Sequence, residues 1–274
     1  MGETILQFWS YPFMRYALGA ILLIMPLFSL LGTMVVNNGM SFFSDALGHS
    51  ALTGVGIGVL LGFTEYTPVM VLFAVIFALL MNLIRHSRIA STDTIIGVFS
   101  SCGIALGLVI LSRGGGFSQY QSLLIGDILN ITKSELVMLG ITLAVTVILW
   151  VLLFNRFLGV SISPALSRSK GWKVWLIDNL FVVLTAVIVM LSIRWVGLLI
   201  INAMLILPAA AAKNIAKDMR SYHLISLIFG LVSGIVGLLL SYTCSVATGP
   251  MIVLVATVFF FLTYLIGNKS PLAK

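Results

Sequence analysis

Asp45 and His49 are the residues of this sequence whose types and spacing could do chemistry. They lie four positions apart in MSFFSDALGHSALTGVGIGVLLG, a stretch from Met40 to Gly62 that otherwise suits a membrane helix. Residues at i and i+4 share one helix face, so this carboxylate and imidazole can hold one ligand between them. An ionised Asp in a bilayer costs roughly 2.5–3.5 kcal/mol on insertion scales, so it needs a partner, a water path or a bound cation. The pair predicts half of a metal site; the alternative is a helix-capping Asp beside a packing His.

The composition indicates what kind of element carries this pair. Of the 274 residues, 60% are hydrophobic and 8% are charged, whereas soluble domains carry about 25% charged residues. Because spanning segments of about 20 residues each use most of the chain, we expect an all-α polytopic membrane protein. The apolar runs predict about 8 to 9 transmembrane helices in one transmembrane domain over residues 1–274. No soluble ATPase or solute receptor fits into this length, and the sequence has no G-x-x-x-x-G-K-[ST] phosphate loop.

The net charge of +7 indicates membrane orientation rather than nucleic-acid binding, because the basic residues lie in short segments between apolar runs. Placing residues 85–93, 155–173, 213–220 and the C-terminus inside puts eleven of the fifteen Lys and Arg residues on that side. This arrangement predicts nine spans with an external N-terminus. It also puts Asp45 near the cytoplasmic end of its helix.

A short cytoplasmic helix is predicted in the longest basic loop, residues 159–171. Ser163 followed by Pro164 is typical of an N-cap with proline at the first helical position, and Gly171 is typical of a stop. This helix could dock a cytosolic partner, and the alternative is an ordinary basic loop. Asp178 follows shortly after it, and Lys170 and Lys173 are its expected partners.

One apolar segment, residues 122–129, is too short to span a membrane. A segment of that length is typical of a re-entrant or interfacial element.

Several of these motifs, taken in order, resemble the membrane permeases of bacterial zinc and manganese ABC importers. The resemblance extends over about residues 14–265 and rests on Met40–Ser50, Leu124–Leu129, Ser161–Leu166, Gly197–Ile200, Leu205–Ala210 and Thr248–Pro250. The Met-Ser-Phe-Phe start of the first motif and the Ile-Ser-Pro form of the third are most similar to the high-affinity zinc-uptake branch.

The resemblance implies a permease homodimer in the bacterial cytoplasmic membrane, with cytosolic ABC ATPase subunits and an extracellular metal-binding solute receptor as partners. Asp45 and His49 match the family's intramembrane metal pair, and residues 161–170 match its coupling helix. Ala165 stands where the family usually has an acidic residue. The residues expected at the ATPase contact are Ser161, Ile162, Ser163, Pro164, Ala165, Leu166, Ser167 and Arg168.

The ion that the chemistry favours is Zn2+, because Zn2+ accepts imidazole nitrogen and carboxylate oxygen, and two copies of the pair would supply four ligands. Zn2+ would be cargo, with no stably bound cofactor, and Mn2+ or Fe2+ suits the same ligand types. A homodimer interface is expected first at the small residues Gly54, Gly56 and Gly58.

Two other functions agree less well with the sequence than a transport subunit does. An ion-coupled secondary carrier would need several intramembrane acids and no docking helix, yet Asp45 is the one strong candidate. An intramembrane metalloprotease would need an H-E-x-x-H motif, which is absent. We therefore expect a transporter subunit that is not itself an enzyme, with ATP hydrolysis on a separate chain.

Overall fold

A computed structural model describes residues 11–87, 90–113 and 124–267. Within these ranges the chain is helical, with no β-strand. Nine long helices, one short helix (α6) and one 3-10 turn follow each other as α1 (Pro12–Asn37), α2 (Phe43–Leu60), α3 (Thr67–His86), α4 (Thr92–Arg113), the 3-10 turn Ile128–Asn130, α5 (Lys133–Ile162), α6 (Pro164–Ser169), α7 (Val174–Val196), α8 (Leu198–Ile215), α9 (Met219–Cys244) and α10 (Thr248–Ile266).

Seven of the described helices are long and apolar enough to cross a membrane; α2 and α8 are the exceptions among the nine long ones. The all-helical membrane fold predicted from the sequence is confirmed, with a span count close to the expected 8 to 9. Helix α2 differs from a lipid-facing span because it carries an Asp and a His.

Helices α1 and α7 form the centre of the bundle. Most of their residues are buried, and α1 packs against α5, α8 and α9. In α1 and α9, Ser29 and Ser226 each donate a hydroxyl hydrogen bond to the other's backbone carbonyl, at 3.2 and 3.4 Å. Such bonds between membrane helices are worth about 0.6 kcal/mol on average. Helices α4, α5 and α10 lie outside and expose aliphatic side chains, as lipid-facing helices do.

The ends of alternate helices meet on one face of the bundle. Asn37 at the end of α1 bonds to Ser161 at the end of α5, and Asn214 in α8 bonds to Thr263 in α10. Because α6 and most basic residues also belong to this end of the helices, we call it the cytoplasmic face.

Helix α5 is longer than its apolar run predicted. The run covers about residues 136–154, but the helix extends from Lys133 to Ile162. Its start is fixed by a capping box, in which Glu135 accepts from the Thr132 backbone N–H at 2.9 Å. Its end continues past Arg156 because an exposed arginine near the cytoplasmic face can reach water.

The short apolar segment is described from residue 124 onward, and residues 122 and 123 lie outside the described ranges. Its backbone presses against the junction of α7 and α8. A Cβ on Gly126 would lie 2.3 Å from the Gly197 nitrogen, and both glycines have positive φ, +70° and +91°. Only glycine permits this approach.

Candidate metal site and coupling segment

Asp45 and His49 lie together on α2 as the spacing predicts. The His49 Nε2 atom is 3.4 Å from Asp45 Oδ2, and the two side chains are 19% and 35% exposed, respectively. Most of α2 is buried against other helices of the same chain. The pair therefore occupies a partly open face on a helix that is otherwise enclosed.

Asp45 does not cap α2. The N-cap position is Phe42, which makes no side-chain cap hydrogen bond, and Asp45 lies inside the first turn. A carboxylate there is favoured by the positive end of the helix dipole. The capping alternative for Asp45 is therefore wrong.

The start of α2 is held within the bundle by α8. The Ser44 hydroxyl donates to the Asn202 side-chain oxygen. A Cβ on Gly48 would lie 3.6 Å from the side chain of Leu198, the first residue of α8. The N-terminal parts of α2 and α8 thus pack against each other, and Asp45 is enclosed by protein on that side rather than placed at a free helix end.

One chain brings two potential metal ligands together here. Among the described residues, no group of three or more His, Cys, Asp or Glu side chains is placed to hold a metal ion. Divalent transition metals bind four or more donors. The remaining donors would come from water or from a second copy of the chain.

The predicted dimer contact at Gly54, Gly56 and Gly58 is wrong, because α3 and α4 of the same chain cover these glycines. A Cβ on Gly54 would lie 2.7 Å from the Met70 Cα atom of α3, and one on Gly56 would lie 2.8 Å from the Ile110 side chain of α4. The small residues let α2 pack closely inside its own bundle.

The short helix predicted after residue 162 is present as α6. The Ser163 hydroxyl accepts from the Leu166 backbone N–H at 3.2 Å, Pro164 is the first helical residue, and Gly171 follows the end with φ +75°. Leu166 of α6 is 57% exposed, and Ile162, the last residue of α5, is 67% exposed. This segment therefore presents apolar side chains at the cytoplasmic face.

The eight residues predicted at the ATPase contact do not share one environment. Ser161 and Ile162 belong to the last turn of α5, whereas Ser167 lies on the buried side of α6. The remaining five, Ser163, Pro164, Ala165, Leu166 and Arg168, form the cap and the open side of α6.

Asp178 forms an ion pair, but the prediction that Lys170 and Lys173 are its partners is wrong. Its carboxylate lies 2.5 Å from the guanidinium of Arg85 in α3, and the two side chains are 9% and 16% exposed. His86 Nε2 lies 3.5 Å from the same carboxylate oxygen. The lysines stay at the exposed end of the loop, whereas a buried carboxylate needs a partner that enters the bundle.

A polar cavity of about 600 Å3 opens beside this ion pair at the cytoplasmic face. Arg85 and Asp178 line one part of it, and Ser161 and Arg168 line another. No local sequence pattern predicts this grouping, because its members are distant along the chain and come together only in the folded bundle.

Comparisons with known proteins agree with this architecture. The family model described as "ABC 3 transport family" matches residues 10–267. The manganese import system permease protein ScaB of Streptococcus parasanguinis is 32% identical over 87% of this chain and 85% of its own length. The high-affinity zinc uptake system membrane protein ZnuB of Haemophilus influenzae is 31% identical over 85% of this chain and 89% of its own length.

A solved structure is similar over nearly the whole chain. The structure of PsaBC from Streptococcus pneumoniae in complex with Fab aligns with a TM-score of 0.84 and 27% identity, covering 98% of this chain and 96% of that one. The chain therefore belongs to the ABC 3 transport family, as a multi-pass permease subunit of the bacterial plasma membrane that is not itself an enzyme.

Proposed function

We propose that this chain is the permease subunit of an importer for a divalent transition-metal ion, and that Asp45 and His49 bind the ion as it crosses. The observation that carries the proposal is the 3.4 Å contact between the two side chains on a partly open face of α2. Relatives named for manganese and for zinc transport support the class of cargo.

A bound cation would offset the cost of placing Asp45 in the membrane. Among the described residues, His49 is its one ion-pair partner, and no Lys or Arg lies within ion-pair distance of it. A neutral imidazole leaves the carboxylate charge uncompensated, and a divalent ion compensates it while using both groups as ligands. Occupancy by the cargo therefore makes an otherwise costly residue favourable.

A homodimer would complete the site. Two chains facing each other across a two-fold axis would supply two carboxylates and two imidazoles, which is enough for a tetrahedral ion. The partial exposure of both side chains supports this arrangement, because a finished site inside one chain would be closed. Weak binding, with water in place of some ligands, would suit release into the cell.

Zn2+ is the ion that this donor set favours, since imidazole and carboxylate in fourfold coordination are typical of zinc sites. Mn2+ is the second candidate. Relatives named for manganese transport support it, such as the manganese transport system membrane protein MntC of Listeria monocytogenes, which is 28% identical over 96% of this chain. A competition experiment between the two ions on one preparation distinguishes them.

The whole chain acts as one permease domain in this proposal, with its partners on opposite faces. An ABC ATPase on a separate chain would dock at the exposed apolar side chains of α6 and of the last turn of α5, including Leu166 and Ile162. A solute receptor would deliver the ion at the other face. Membership of an ABC transporter family supports this arrangement over a carrier that works alone.

Uptake measured with 65Zn2+ and 54Mn2+ tests the metal pair. Asp45→Ala and His49→Ala should each lower uptake at least about tenfold at equal membrane abundance, because loss of even an outer-shell partner of a metal ligand typically costs that much. Asp93→Ala is the matched control, because it removes an exposed carboxylate from the first turn of another helix, α4. Uptake at the control level in both Asp45 and His49 variants would remove the pair from the mechanism.

A further inference from the structure

The turn between α1 and α2 is fastened to the end of α5 by two side-chain hydrogen bonds. Asn37 donates from Nδ2 to the Ser161 hydroxyl, and the Ser161 hydroxyl donates to the Asn38 side-chain oxygen. A single hydroxyl thus serves as acceptor for one asparagine and as donor to the next. Replacing it by hydrogen removes both bonds at once.

The same turn is fastened on another side by Arg85. Met40 is 1% exposed, and its sulfur atom lies 2.8 Å from Arg85 Nη1. Arg85 in turn pairs with Asp178 of α7. The five residues between α1 and α2 are therefore attached to α3 and α7 as well as to α5.

Ser161 lies in the last turn of α5 and is the first residue of the predicted coupling segment, residues 161–170. It is two residues before Ser163, which caps α6, so a displacement of α6 reaches it through a very short piece of backbone. At the other end of the link, α2 begins at Phe43 and carries Asp45 in its first turn. Since a helix moves as a stiff element, a shift of the turn moves the metal ligands with it.

α2 and α5 pack mainly on different helices. The main neighbours of α2 are α3, α4, α7 and α8, whereas α5 packs mainly on α1 and α7. The hydrogen bonds of Ser161 are thus a direct polar connection from the end of α5 to the residues that precede α2. Asn37, Asn38 and Ser161 line the polar cavity of about 600 Å3 together with Arg168 of α6. This open space leaves room for α6 and for the turn before α2 to move.

We propose that Asn37, Asn38 and Ser161 form a positioning link that carries movement of α6 to the Asp45 and His49 pair. This inference rests on the proposed metal-transport function and adds the route by which ATP hydrolysis reaches the ion. None of the three residues contacts the ion in this account; they set the position of α2 relative to α6.

The test measures metal ions moved per ATP hydrolysed by the complete importer in proteoliposomes, with the permease, the ATPase and the receptor all present. Ser161→Ala should continue to hydrolyse ATP but move at least about fivefold fewer ions per ATP, the lower end of typical couplings between sites. Ser161→Thr keeps the hydroxyl and should restore the ratio. Ser112→Ala is the control, because that exposed hydroxyl lies in α4, outside α6, and donates locally to the Val109 carbonyl at 2.9 Å.

Other outcomes separate the link from a structural role and from the metal site. An unchanged ratio in Ser161→Ala overturns the link, and so does an equal loss of hydrolysis and transport at a normal melting temperature, because coupling would then be intact. If Ser161→Ala does not fold, Asn38→Ala, which leaves the Asn37 bond in place, must show the lowered ratio or the link is overturned. Normal transport by Asp45→Ala would instead overturn the metal site and leave the Ser161 result standing.

Discussion

Breaking the ion pair between Arg85 and Asp178 should destabilise the permease far more than breaking an exposed pair. The two side chains are 16% and 9% exposed and lie 2.5 Å apart. Removing one partner of a buried pair costs about 3–5 kcal/mol, because the other charge stays buried and uncompensated. Each partner keeps another contact, because Arg85 also donates to the Asn82 side chain at 3.1 Å and His86 Nε2 lies 3.5 Å from the Asp178 carboxylate. We therefore expect about 3 kcal/mol, the lower end of that range.

The assay is unfolding of the purified permease in detergent, followed for Asp178→Asn, Arg85→Gln and the double variant. At roughly 2–4 °C per kcal/mol, each single variant should lower the midpoint by about 6–12 °C. The double variant should regain most of the loss, because two neutral amides leave no buried charge and can bond to each other.

The pair of Arg194 and Glu135 is the matched control. Its atoms lie 3.6 Å apart and its side chains are 61% and 19% exposed, so its loss should cost at most about 1 kcal/mol. Single variants of Arg85 and Asp178 that unfold like Arg194→Gln, with no recovery in the double variant, would refute the reasoning.

Three further results are expected. Gly107→Ala should lower the free energy of unfolding by about 1–3 kcal/mol, because the added Cβ would lie 2.7 Å from the Leu52 Cβ. Gly97→Ala on the same helix meets nothing within 4 Å and should be neutral or slightly stabilising. Equal unfolding midpoints of the two variants would contradict the tight packing of α4 on α2. Ser163→Ala should weaken binding of the ATPase and lower permease stability by at most about 1 kcal/mol, because it removes the cap of α6 at the cytoplasmic face. Ser163→Asp keeps a capping side chain and should keep the binding. A binding assay in which both variants behave alike would exclude a role for the cap. Backbone N–H groups of Ser221 and Arg220 bond to the Asp218 carboxylate and lower the pKa of that carboxyl. The contribution of Asp218 to stability is therefore full above the unfolded pKa of about 3.9 and is lost as pH falls through the lower folded pKa. Asp218→Asn should remove this pH dependence from unfolding curves recorded at different pH values.

The class of the protein and most of its helices could be predicted because their signal is local. A long apolar run predicts a spanning helix wherever it occurs, and the i, i+4 spacing of Asp45 and His49 fixes a common face before any tertiary contact forms. The cap of α6 was predictable for the same reason, since Ser163 and Pro164 act on the turn that follows them. Short-range patterns therefore located the proposed metal ligands and the helix proposed to dock the ATPase, α6.

The contacts between distant segments could not be predicted. Arg85 and Asp178 are 93 positions apart, and Asn37 and Ser161 are 124 apart. Proximity along the chain instead favoured the lysines beside Asp178, which stay outside the bundle. Asn37, Asn38 and Gly39 are residue types typical of a turn, but the side-chain partner of the two asparagines depends on where α5 ends.

The glycines of α2 show a second limit of sequence reasoning. A stripe of small residues predicts that another backbone comes close, and this is what the structure shows. The stripe does not say which backbone that is. Met70 and Ile110 of the same chain occupy the positions that a second copy of the permease was expected to fill.

The most direct test of the central claim is an anomalous-scattering map of the permease loaded with Zn2+ or Mn2+. The account predicts a metal peak within ligand distance, about 2.0–2.2 Å, of both the Asp45 carboxylate and a His49 ring nitrogen. A peak elsewhere in the transport path, with these two side chains making no contact to it, would contradict the account.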